Sequence, residues 1–352
     1  MLHAIYVKYL LHLTFPAGTS RGILRQKETW FIKIWNSENP HIFGIGECAL
    51  FRGLSSDDHN EYESVIKNCC KNIQKYAQNQ DELIDFPSIK FGIETALLDL
   101  KNGGFQMLYP SAFTNGITGI PLNGLIWMGD VGYMNQQIKE KLNAGFRCLK
   151  FKVGALHLHE EMLMLQAIRK EYKVNDLEIR LDANGSFNKS NVYDALTKFA
   201  ELNIHSIEQP IKPGDTESMA MLCSASPIPI ALDEELIGKN KPEDKIKLLK
   251  TINPQYIIIK PALTGGFSGS QEWVNAAKGL NIGWWVTSAL ESNIGLNAIA
   301  QWTYTLGTKM TQGLGTGSLY ANNIPSPLFI KDQSLFINPE NKWDLSMINF
   351  NG

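Results

Sequence analysis

Short apolar runs recur along the chain from about residue 120 onward, and most of them end in a polar or small residue. We place eight such runs at 122–127, 147–153, 177–183, 204–209, 228–234, 256–261, 283–289 and 311–315. The residues that mark the ends of the second to eighth runs lie 25 to 30 positions apart: Lys152, Asp182, Glu208, Asp233, Lys260, Ser288 and Gly313. One strand and one helix of a TIM-like barrel take about that length. The spacing therefore predicts parallel strands covered by helices, with the catalytic face at the carboxyl ends of the strands.

The first 105 residues follow a different pattern. Strand-like runs at 4–15, 29–35 and 41–48 precede helical patterns at 57–78 and 87–103. Strands followed by helices predict a small α+β domain over 1–105. This leaves 106–319 for the barrel, and we expect the segment 320–352 to return to the first domain. The loops near 16–22 and 48–56 are rich in glycine and other turn formers, so we expect them to form a mobile cover.

Composition excludes several classes of function. Of the 352 residues, 44% are apolar and 19% are charged, and the net charge of −2 argues against nucleic acid or an anionic membrane as the main partner. The five cysteines lack zinc-ligand spacing and predict buried thiols in a reducing compartment. No run has the length of a membrane span, and the apolar stretch near the start lacks the features of a signal peptide. We therefore expect a cytoplasmic protein, while oligomeric state is not readable.

Three carboxylates stand at the ends of consecutive predicted strands: Asp182, Glu208 and Asp233. Carboxylates that converge on one barrel mouth repel each other strongly unless a cation joins them. Hard oxygen ligands without histidine or cysteine nearby favour Mg²⁺, with Mn²⁺ as a substitute. Any one of these residues could instead cap the following helix, but three in register fit that alternative poorly.

Lysines flank this trio on both sides. Lys150 and Lys152 lie two apart on the second predicted strand, so both point away from the apolar face, and Lys260 ends the sixth strand. An ordinary half-solvated strand is the alternative for the first pair. Crowded amines lower each other's pKa, which favours a lysine base near neutral pH. The layout suits removal of a proton next to the carboxylate of a small-molecule substrate. No nucleophile elbow, phosphate-binding loop or zinc-protease motif competes.

These residues lie in motifs that resemble the enolase superfamily, and the resemblance covers nearly the whole chain. The motifs are Lys150-x-Lys152, Arg180-Leu-Asp182-Ala-Asn184, Glu208-Gln-Pro210, Asp233-Glu234 and Lys260-Pro261. The resemblance implies a (β/α)7β TIM-like barrel with an N-terminal α+β capping domain. It also implies the muconate-lactonizing-enzyme-like subgroup, with lysines on both sides of the site. The branch with a histidine base is excluded because 286–291 contains no histidine.

Within that subgroup the chain is most similar to members that act in menaquinone biosynthesis. The similarity lies in Thr19-Ser-Arg-Gly22, Gly44-Ile-Gly-Glu-Cys48, Asn123-Gly-Leu-Ile-Trp127, Ser288-Ala-Leu-Glu-Ser292 and Gly313-Leu-Gly-Thr-Gly317. It implies a lyase that performs syn-dehydration of 2-succinyl-6-hydroxy-2,4-cyclohexadiene-1-carboxylate. Lys152 would take the α-proton and return it to the departing hydroxide. Mg²⁺ on the three carboxylates would stabilise the enediolate, with Lys260 as an electrostatic or cation–π partner.

The candidate substrate contacts are Lys150, Arg180, Asn184, Thr287, Ser288, Gly313, Leu314, Ser20 and Arg21. By the resemblance, Thr287, Ser288, Gly313 and Leu314 match positions that bind the succinyl tail. Arg180 and Asn184 share a face with Asp182, so they are expected to contact the ligand or to hold the metal carboxylate, and Ser20 and Arg21 are expected to close over the site with the capping loop. For the residues of the last two barrel loops, simple loop packing is the open alternative. Two other functions also remain open: an N-acylamino acid racemase or dipeptide epimerase, and a barrel that only binds its ligand.

Overall fold

The computed structural model describes residues 1–19 and 22–350. The first part of the chain forms an antiparallel sheet of β1 (Leu2–Thr19), β2 (Gly22–Asn36) and β3 (Asn39–Cys48). Helices α1 (Tyr62–Lys71), α2 (Ile73–Gln78) and α3 (Pro87–Lys101) follow. Trp30, Ile32 and Ile34 alternate along β2 and pack under these helices.

Glycine allows α3 to lie directly against β3. A Cβ on Gly44 would stand 1.9 Å from the carbonyl oxygen of Ala96, and a Cβ on Gly46 would stand 1.9 Å from that of Gly92. Any larger residue at either position would push the helix away from the sheet. The close packing fixes the position of this sheet, whose other face contacts the rest of the chain through Phe31 and Ile45.

The second part alternates strands and helices. It begins with β4 (Ile120–Pro121), and its seven parallel strands are β5 (Gly124–Ile126), β6 (Cys148–Lys152), β7 (Glu178–Asp182), β8 (Ser206–Glu208), β9 (Ile230–Leu232), β10 (Tyr256–Ile259) and β11 (Gly283–Val286). The covering helices are α4 (Val131–Asn143), α5 (Leu158–Glu171), α6 (Val192–Ala200), α7 (Thr216–Ala225), α8 (Pro242–Ile252), α9 (Gly266–Gly279) and α10 (Asn293–Thr305). Neighbouring strands in space are also neighbours in sequence. This architecture confirms the predicted TIM-like barrel with an N-terminal α+β unit.

The segment 311–315 differs from its prediction as the eighth strand. It forms no regular strand, but two parallel bridges, Leu122 to Gln312 and Thr287 to Gly313, join it to both edges of the sheet. The Gln312 N–H donates to the Pro121 carbonyl at 2.8 Å. A glycine-rich segment has few side chains to pack on a ladder, which explains the short pairing. The ring of strands is nevertheless closed by these residues.

The N-terminal hairpin also differs from the prediction. Most of the loop expected at 16–22 belongs to β1 and β2, with a register shift between His12 and Ala17. Pro16 lies within that shift. Proline has no N–H to donate to a strand ladder, and an irregularity in the pairing tolerates it. The helical pattern expected from residue 57 begins only at Tyr62 and is interrupted at Asn72.

The last segment contacts both parts of the molecule. Strand β12 (Leu328–Lys331) pairs with β13 (Ser334–Ile337), and β13 pairs with β4. Ile324 and Ile348 pack with Phe31 of the first sheet, and the Tyr9 hydroxyl donates to the Asn322 carbonyl at 2.9 Å. The domain boundaries at 105 and 319 stay a prediction. Within 1–19 and 22–350, no helix combines the length and apolar character needed to cross a bilayer.

Candidate active site

The strand register brings the predicted site residues to one level. Lys152 on β6 pairs with Asp182 on β7, which pairs in turn with Glu208 on β8. Asp233 and Lys260 directly follow the ends of β9 and β10. The apolar residues that precede each strand end pack in the barrel core, and the polar site residues stand where the strands end.

Each carboxylate in this group faces a lysine. The Lys150 Nζ lies 2.6 Å from Glu208 Oε2 and 3.0 Å from Asp182 Oδ2. The Lys152 Nζ lies 3.1 Å from Asp182 Oδ2 and donates to Asn184 Oδ1 at 2.5 Å. Lys260 forms an ion pair with Asp233. The side chains of Lys152 and Lys260 are each 13% exposed, so both amines are largely withdrawn from bulk water.

The pKa shifts of two lysines in this group differ from the prediction that crowded lysines lower each other's pKa. Burial lowers the pKa of Lys150, but the charges of Asp182, Glu208 and Asp233 outweigh burial and the net shift is upward. The pKa of Lys260 is likewise raised, by Asp233 and Glu208 against the opposing effect of burial. Carboxylates decide the charge state of both amines because their opposite charges outweigh the effect of burial.

The carboxylates themselves are pulled in opposite directions. Burial and the charge of Asp182 raise the pKa of Glu208 well above its usual value, although Lys150 opposes them. Burial also acts to raise the pKa of Asp182, but Lys150, Lys152 and Lys260 hold it far below its ordinary range. Such a split is typical of acids that share one buried space.

One observation in particular shows that the residues of this group suit a hard divalent cation. Glu208 Oε1 is buried and has no hydrogen-bond partner among the described residues. A buried, unpartnered carboxylate oxygen is costly unless a ligand satisfies it. In the described part of the chain, no three histidine, cysteine or acidic side chains stand at metal-binding distances, and lysine ammonium groups neutralise the carboxylates instead. All candidate donors are carboxylate oxygens, as Mg²⁺ prefers.

A cavity of about 350 Å³ opens above this group. Its walls come from both parts of the molecule: Phe15, Phe51 and Leu54 from the first, and Trp127, Leu290 and Leu319 from the second, among others. Of the predicted substrate contacts, five line it: Lys150, Asn184, Thr287, Ser288 and Gly313. The predicted cover segment 48–56 contributes two of the apolar side chains. The volume and mixed lining suit a small organic acid.

Other predicted contacts do not reach the cavity. The Arg180 guanidinium donates to the Thr311 carbonyl at 3.0 Å and to Glu178 at 2.7 Å, and it stacks 4.3 Å from the Trp285 ring centroid. Arg180 shares the inward face of β7 with Asp182 but occupies a deeper layer of the barrel. Leu314 is fully buried in the core. Ser20 and Arg21 lie outside the described residues.

Asn184 and Glu234 add a link that sequence reasoning missed. Asn184 adopts a φ of 43°, and its Nδ2 donates to Glu234 Oε1 at 3.0 Å while its Oδ1 accepts from Lys152. The sequence marks Glu234 only as part of the Asp233-Glu234 motif. The signal that identifies Glu234 is its position directly after Asp233, at the end of β9.

A comparison with protein families identifies the general class. Residues 133–338 match the family described as "Enolase C-terminal domain-like". This range is more than half of the chain and includes the lysines and carboxylates of the site. The fold and site together define a member of the enolase superfamily.

Individual relatives narrow the assignment. An o-succinylbenzoate synthase from Desulfotalea psychrophila (strain LSv54 / DSM 12343) is 42% identical over 349 residues, which cover 90% of this chain and 93% of the relative. The crystal structure of MenC from Desulfotalea psychrophila LSv54 superposes with a TM-score of 0.82 at 38% identity and covers 96% of this chain and 99% of that one. The chain belongs to the o-succinylbenzoate synthase family.

A more distant relative has a different activity. An N-succinyl-L-Arg/Lys racemase from Bacillus cereus (strain ATCC 14579) is 27% identical over 263 residues, which cover 74% of this chain and 69% of the relative. Its lower identity gives less support to the racemase reading than the synthase similarity gives to the lyase reading.

Proposed function

We propose that this protein is a lyase that removes water from 2-succinyl-6-hydroxy-2,4-cyclohexadiene-1-carboxylate and forms 2-succinylbenzoate for menaquinone biosynthesis. One observation carries the proposal: Lys152 and Lys260 reach the same cavity from strands that flank the three carboxylates. A proton carrier and a fixed positive charge therefore stand on two sides of one bound acid. The 42% identity to an o-succinylbenzoate synthase supports the choice of substrate.

In the proposed reaction Lys152 does the proton chemistry. Its neutral amine takes the proton from the carbon next to the substrate carboxylate. The C–O bond to the leaving hydroxyl then breaks, and the Lys152 ammonium returns the proton to the departing hydroxide, which leaves as water. Hydrogen bonds to Asp182 and Asn184 orient the amine for both steps. A syn elimination requires one carrier on one face, and aromatisation of the ring supplies driving force.

Asp182, Glu208 and Asp233 would hold Mg²⁺, or Mn²⁺ in its place. The bound cation would supply Lewis-acid stabilisation of negative charge on the substrate carboxylate. Support for this assignment comes from the all-oxygen donor set and from the buried, unpartnered Oε1 of Glu208 among the described residues. Lys260 would add a fixed positive charge beside the ring, through direct electrostatics or a cation–π contact.

The remaining polar groups of the cavity would receive the succinyl tail. Thr287, Ser288 and Gly313 line the wall at the ends of the last strands. A Cβ on Gly313 would stand 2.1 Å from Thr287 Oγ1, so glycine keeps this wall open and its backbone accessible. Lys150, which pairs with Glu208 and Asp182, would act on the substrate carboxylate mainly through its charge. A cytoplasmic location is part of the proposal, supported by five free cysteines.

The test is a steady-state assay of the purified protein with Mg²⁺ on the cyclohexadiene acid, beside a panel of N-succinylamino acids and dipeptides. We expect the cyclohexadiene acid to have the highest kcat/KM. A higher kcat/KM for racemisation of an N-succinylamino acid would instead favour the second candidate, an N-acylamino acid racemase. That candidate is retained because two lysines face one cavity, as a two-base racemisation needs.

A further inference from the structure

A buried group of charges lies between the first sheet and the barrel, apart from the proposed catalytic residues. It consists of Lys27 on β2, Glu47 on β3 and Glu291 after β11, and we name it the interdomain charge cluster. Lys27 is 5% exposed, and Glu47 and Glu291 are both 0% exposed. Charges buried this deeply are costly and need compensation from partners. The proposed reaction uses none of the three.

Glu47 ties the first sheet to the start of α10. Its carboxylate accepts from the Ser292 N–H at 3.0 Å, from the Ser292 hydroxyl at 2.6 Å and from the Gly295 N–H at 3.0 Å. The Thr29 hydroxyl on β2 donates to it at 2.8 Å. An acid at the first turn of a helix satisfies N–H groups that have no partner within the helix. The first sheet therefore fixes where α10 and the preceding loop begin.

Glu291 and Lys27 complete the cluster. Glu291 Oε2 accepts from the Ala289 N–H at 2.8 Å, whereas its Oε1 and the Lys27 Nζ have no hydrogen-bond partner among the described residues. Both unpartnered atoms are buried. Burial lowers the pKa of Lys27, and the charges of Glu47 and Glu291 act in the opposite direction.

The loop held by this cluster forms part of the cavity wall. Ser288, Ala289 and Leu290 all line the cavity. Leu290 adopts a φ of 58°, a left-handed conformation that is unfavourable for leucine, and its carbonyl accepts from the buried Tyr320 hydroxyl at 2.7 Å. Such a conformation persists only where the surroundings enforce it.

We propose that the interdomain charge cluster positions the wall segment 288–290 for substrate binding, so that Lys27 and Glu291 set the affinity of the cavity without touching the substrate. Glu291 holds the segment through Ala289, Glu47 anchors the following turn at Ser292, and the positive charge of the buried Lys27 partly offsets the charges of both acids. The choice of ligand rests on the proposed function, whereas the positioning of the segment does not.

The experiment compares four variants with the wild type: Lys27→Met, Lys27→Met with Glu291→Gln, Tyr320→Phe, and Lys245→Met as the matched control. Lys245 is also a buried lysine, but it pairs with Glu272 on α9 and does not line the cavity. Tyr320→Phe removes only the hydroxyl that binds the Leu290 carbonyl, so it is the variant least able to disturb folding. Hydrogen exchange of peptides that span 287–296 is measured without ligand, and KM and kcat are measured with the cyclohexadiene acid.

Lys27→Met should speed exchange in 287–296 and raise KM about tenfold while kcat changes less than about threefold. Adding Glu291→Gln removes the opposite charge and should recover at least about threefold of that loss. Tyr320→Phe should shift KM in the same direction by a smaller factor, and Lys245→Met should shift neither exchange in 287–296 nor KM.

Unchanged exchange and KM in Lys27→Met and Tyr320→Phe would overturn the inference. Equal KM effects from Lys245→Met would also overturn it, because they would reduce the effect to general destabilisation. If the wild type does not turn over the cyclohexadiene acid, the proposed function fails, while the exchange measurement still decides the positioning role.

Discussion

Lys152 has the environment that a proton carrier needs. Its amine lies 3.1 Å from Asp182 Oδ2 and is held by the Asn184 side chain, which in turn is fixed by Glu234. The three contacts restrict the amine to one position at the cavity wall. A single, well-oriented base is sufficient for a reaction in which proton removal and return occur on the same face.

We predict that Lys152→Ala abolishes both dehydration and exchange of the substrate α-proton with solvent deuterium. The physical reason is that Lys150, on the same face of β6, is held by ion pairs with Glu208 and Asp182, and Lys260 reaches the cavity from another strand. The measurement is α-proton exchange by NMR beside turnover, with the folded state checked by thermal unfolding. Exchange at the wild-type rate in Lys152→Ala would show that another group is the base.

We predict that Lys260 acts through its charge. Lys260→Ala should lower kcat on the order of 10²-fold, because a preorganised charge in a low-dielectric cavity is lost. Lys260→Arg keeps the charge but cannot supply a neutral base, so it should recover at least part of the activity. The kcat of both variants is measured on the cyclohexadiene acid. An arginine variant as inactive as the alanine variant would argue that Lys260 carries a proton.

We predict that turnover requires Mg²⁺ or Mn²⁺ and that Asp233→Asn loses most activity. Removing this carboxylate deletes one hard ligand. It also leaves the buried Lys260 ammonium without its ion-pair partner, so Asp233→Asn should unfold at a somewhat lower temperature than the wild type. Metal content by elemental analysis and turnover after chelation check the requirement. Full turnover by protein shown to be free of metal contradicts it.

At the scale of single elements, the strands and their ends could be predicted from the sequence, but the depth of a side chain along the barrel axis could not. Apolar runs of fixed spacing located Asp182, Glu208 and Asp233 because a buried strand cannot carry a charge before its end. The period of two correctly placed Arg180 on the same face as Asp182. It contains no information on layers along the barrel axis, so the contacts of Arg180 with Thr311 and Trp285 could not be foreseen.

Contacts between distant elements were equally out of reach. Glu47 and Glu291 lie 244 positions apart, and only the packing of the first sheet on α10 brings them together. Pairing of 311–315 was overestimated because an apolar run at the correct spacing predicts a strand even where its residues form only two bridges. The local sequence pattern thus located the end of the barrel that contains the proposed catalytic residues, whereas the walls of the cavity depend on tertiary packing.

Helix α5 contains an acid whose titration should be visible in stability. Glu161 is 1% exposed, and its Oε1 accepts from the Gly154 N–H at 2.6 Å in the loop after β6, while Oε2 has no partner among the described residues. Burial, opposed by backbone hydrogen bonds, raises its pKa to about 7 from 4.5. The folded state therefore binds more protons than the unfolded state between these two values. Its contribution to stability falls as the pH rises through that window.

We predict that Glu161→Gln removes this dependence. Glutamine keeps the acceptor for Gly154 and does not titrate. The free energy of unfolding of the wild type, measured against the variant by urea, should fall by up to about 3 kcal/mol from pH 4.5 to pH 8. Glu171→Gln, at an exposed position of the same helix, is the control and should leave the pH profile unchanged. A constant difference between wild type and Glu161→Gln across this range would contradict the prediction.

At the scale of the whole molecule, two parts of the chain enclose one cavity. The barrel supplies the charged floor, and the first part supplies apolar side chains such as Phe15 and Phe51. Other activities of the superfamily would also use the lysines and carboxylates. The side chains of the cavity walls therefore contribute as much to the choice of substrate as the lysines and carboxylates do. The acids available along those walls distinguish a lyase from a dipeptide epimerase.

A dipeptide substrate carries an α-ammonium group, and a buried cation needs an anionic partner. The superfamily's epimerases are expected to supply an acid pair after the last barrel strand, but 311–320 contains no acid. Among the described residues that line the cavity, Asp182 pairs with lysines, Glu234 accepts from Asn184, and Glu140 is exposed on α4. A dipeptide ammonium would remain unpaired at a cost of several kcal/mol.

We predict that the protein does not epimerise dipeptides at a useful rate. A succinyl carboxylate suits the glycine-rich 313–317 segment, because backbone N–H groups can approach an anion closely there. The measurement is kcat/KM for epimerisation of L-Ala-L-Glu, followed by deuterium incorporation, against kcat/KM for dehydration of the cyclohexadiene acid. N-succinyl-L-Ala serves as the matched control, since it replaces the ammonium with a neutral amide. Epimerisation of L-Ala-L-Glu with a kcat/KM comparable to dehydration would mean that the cavity does neutralise an ammonium, and the predicted exclusion of dipeptides would be wrong.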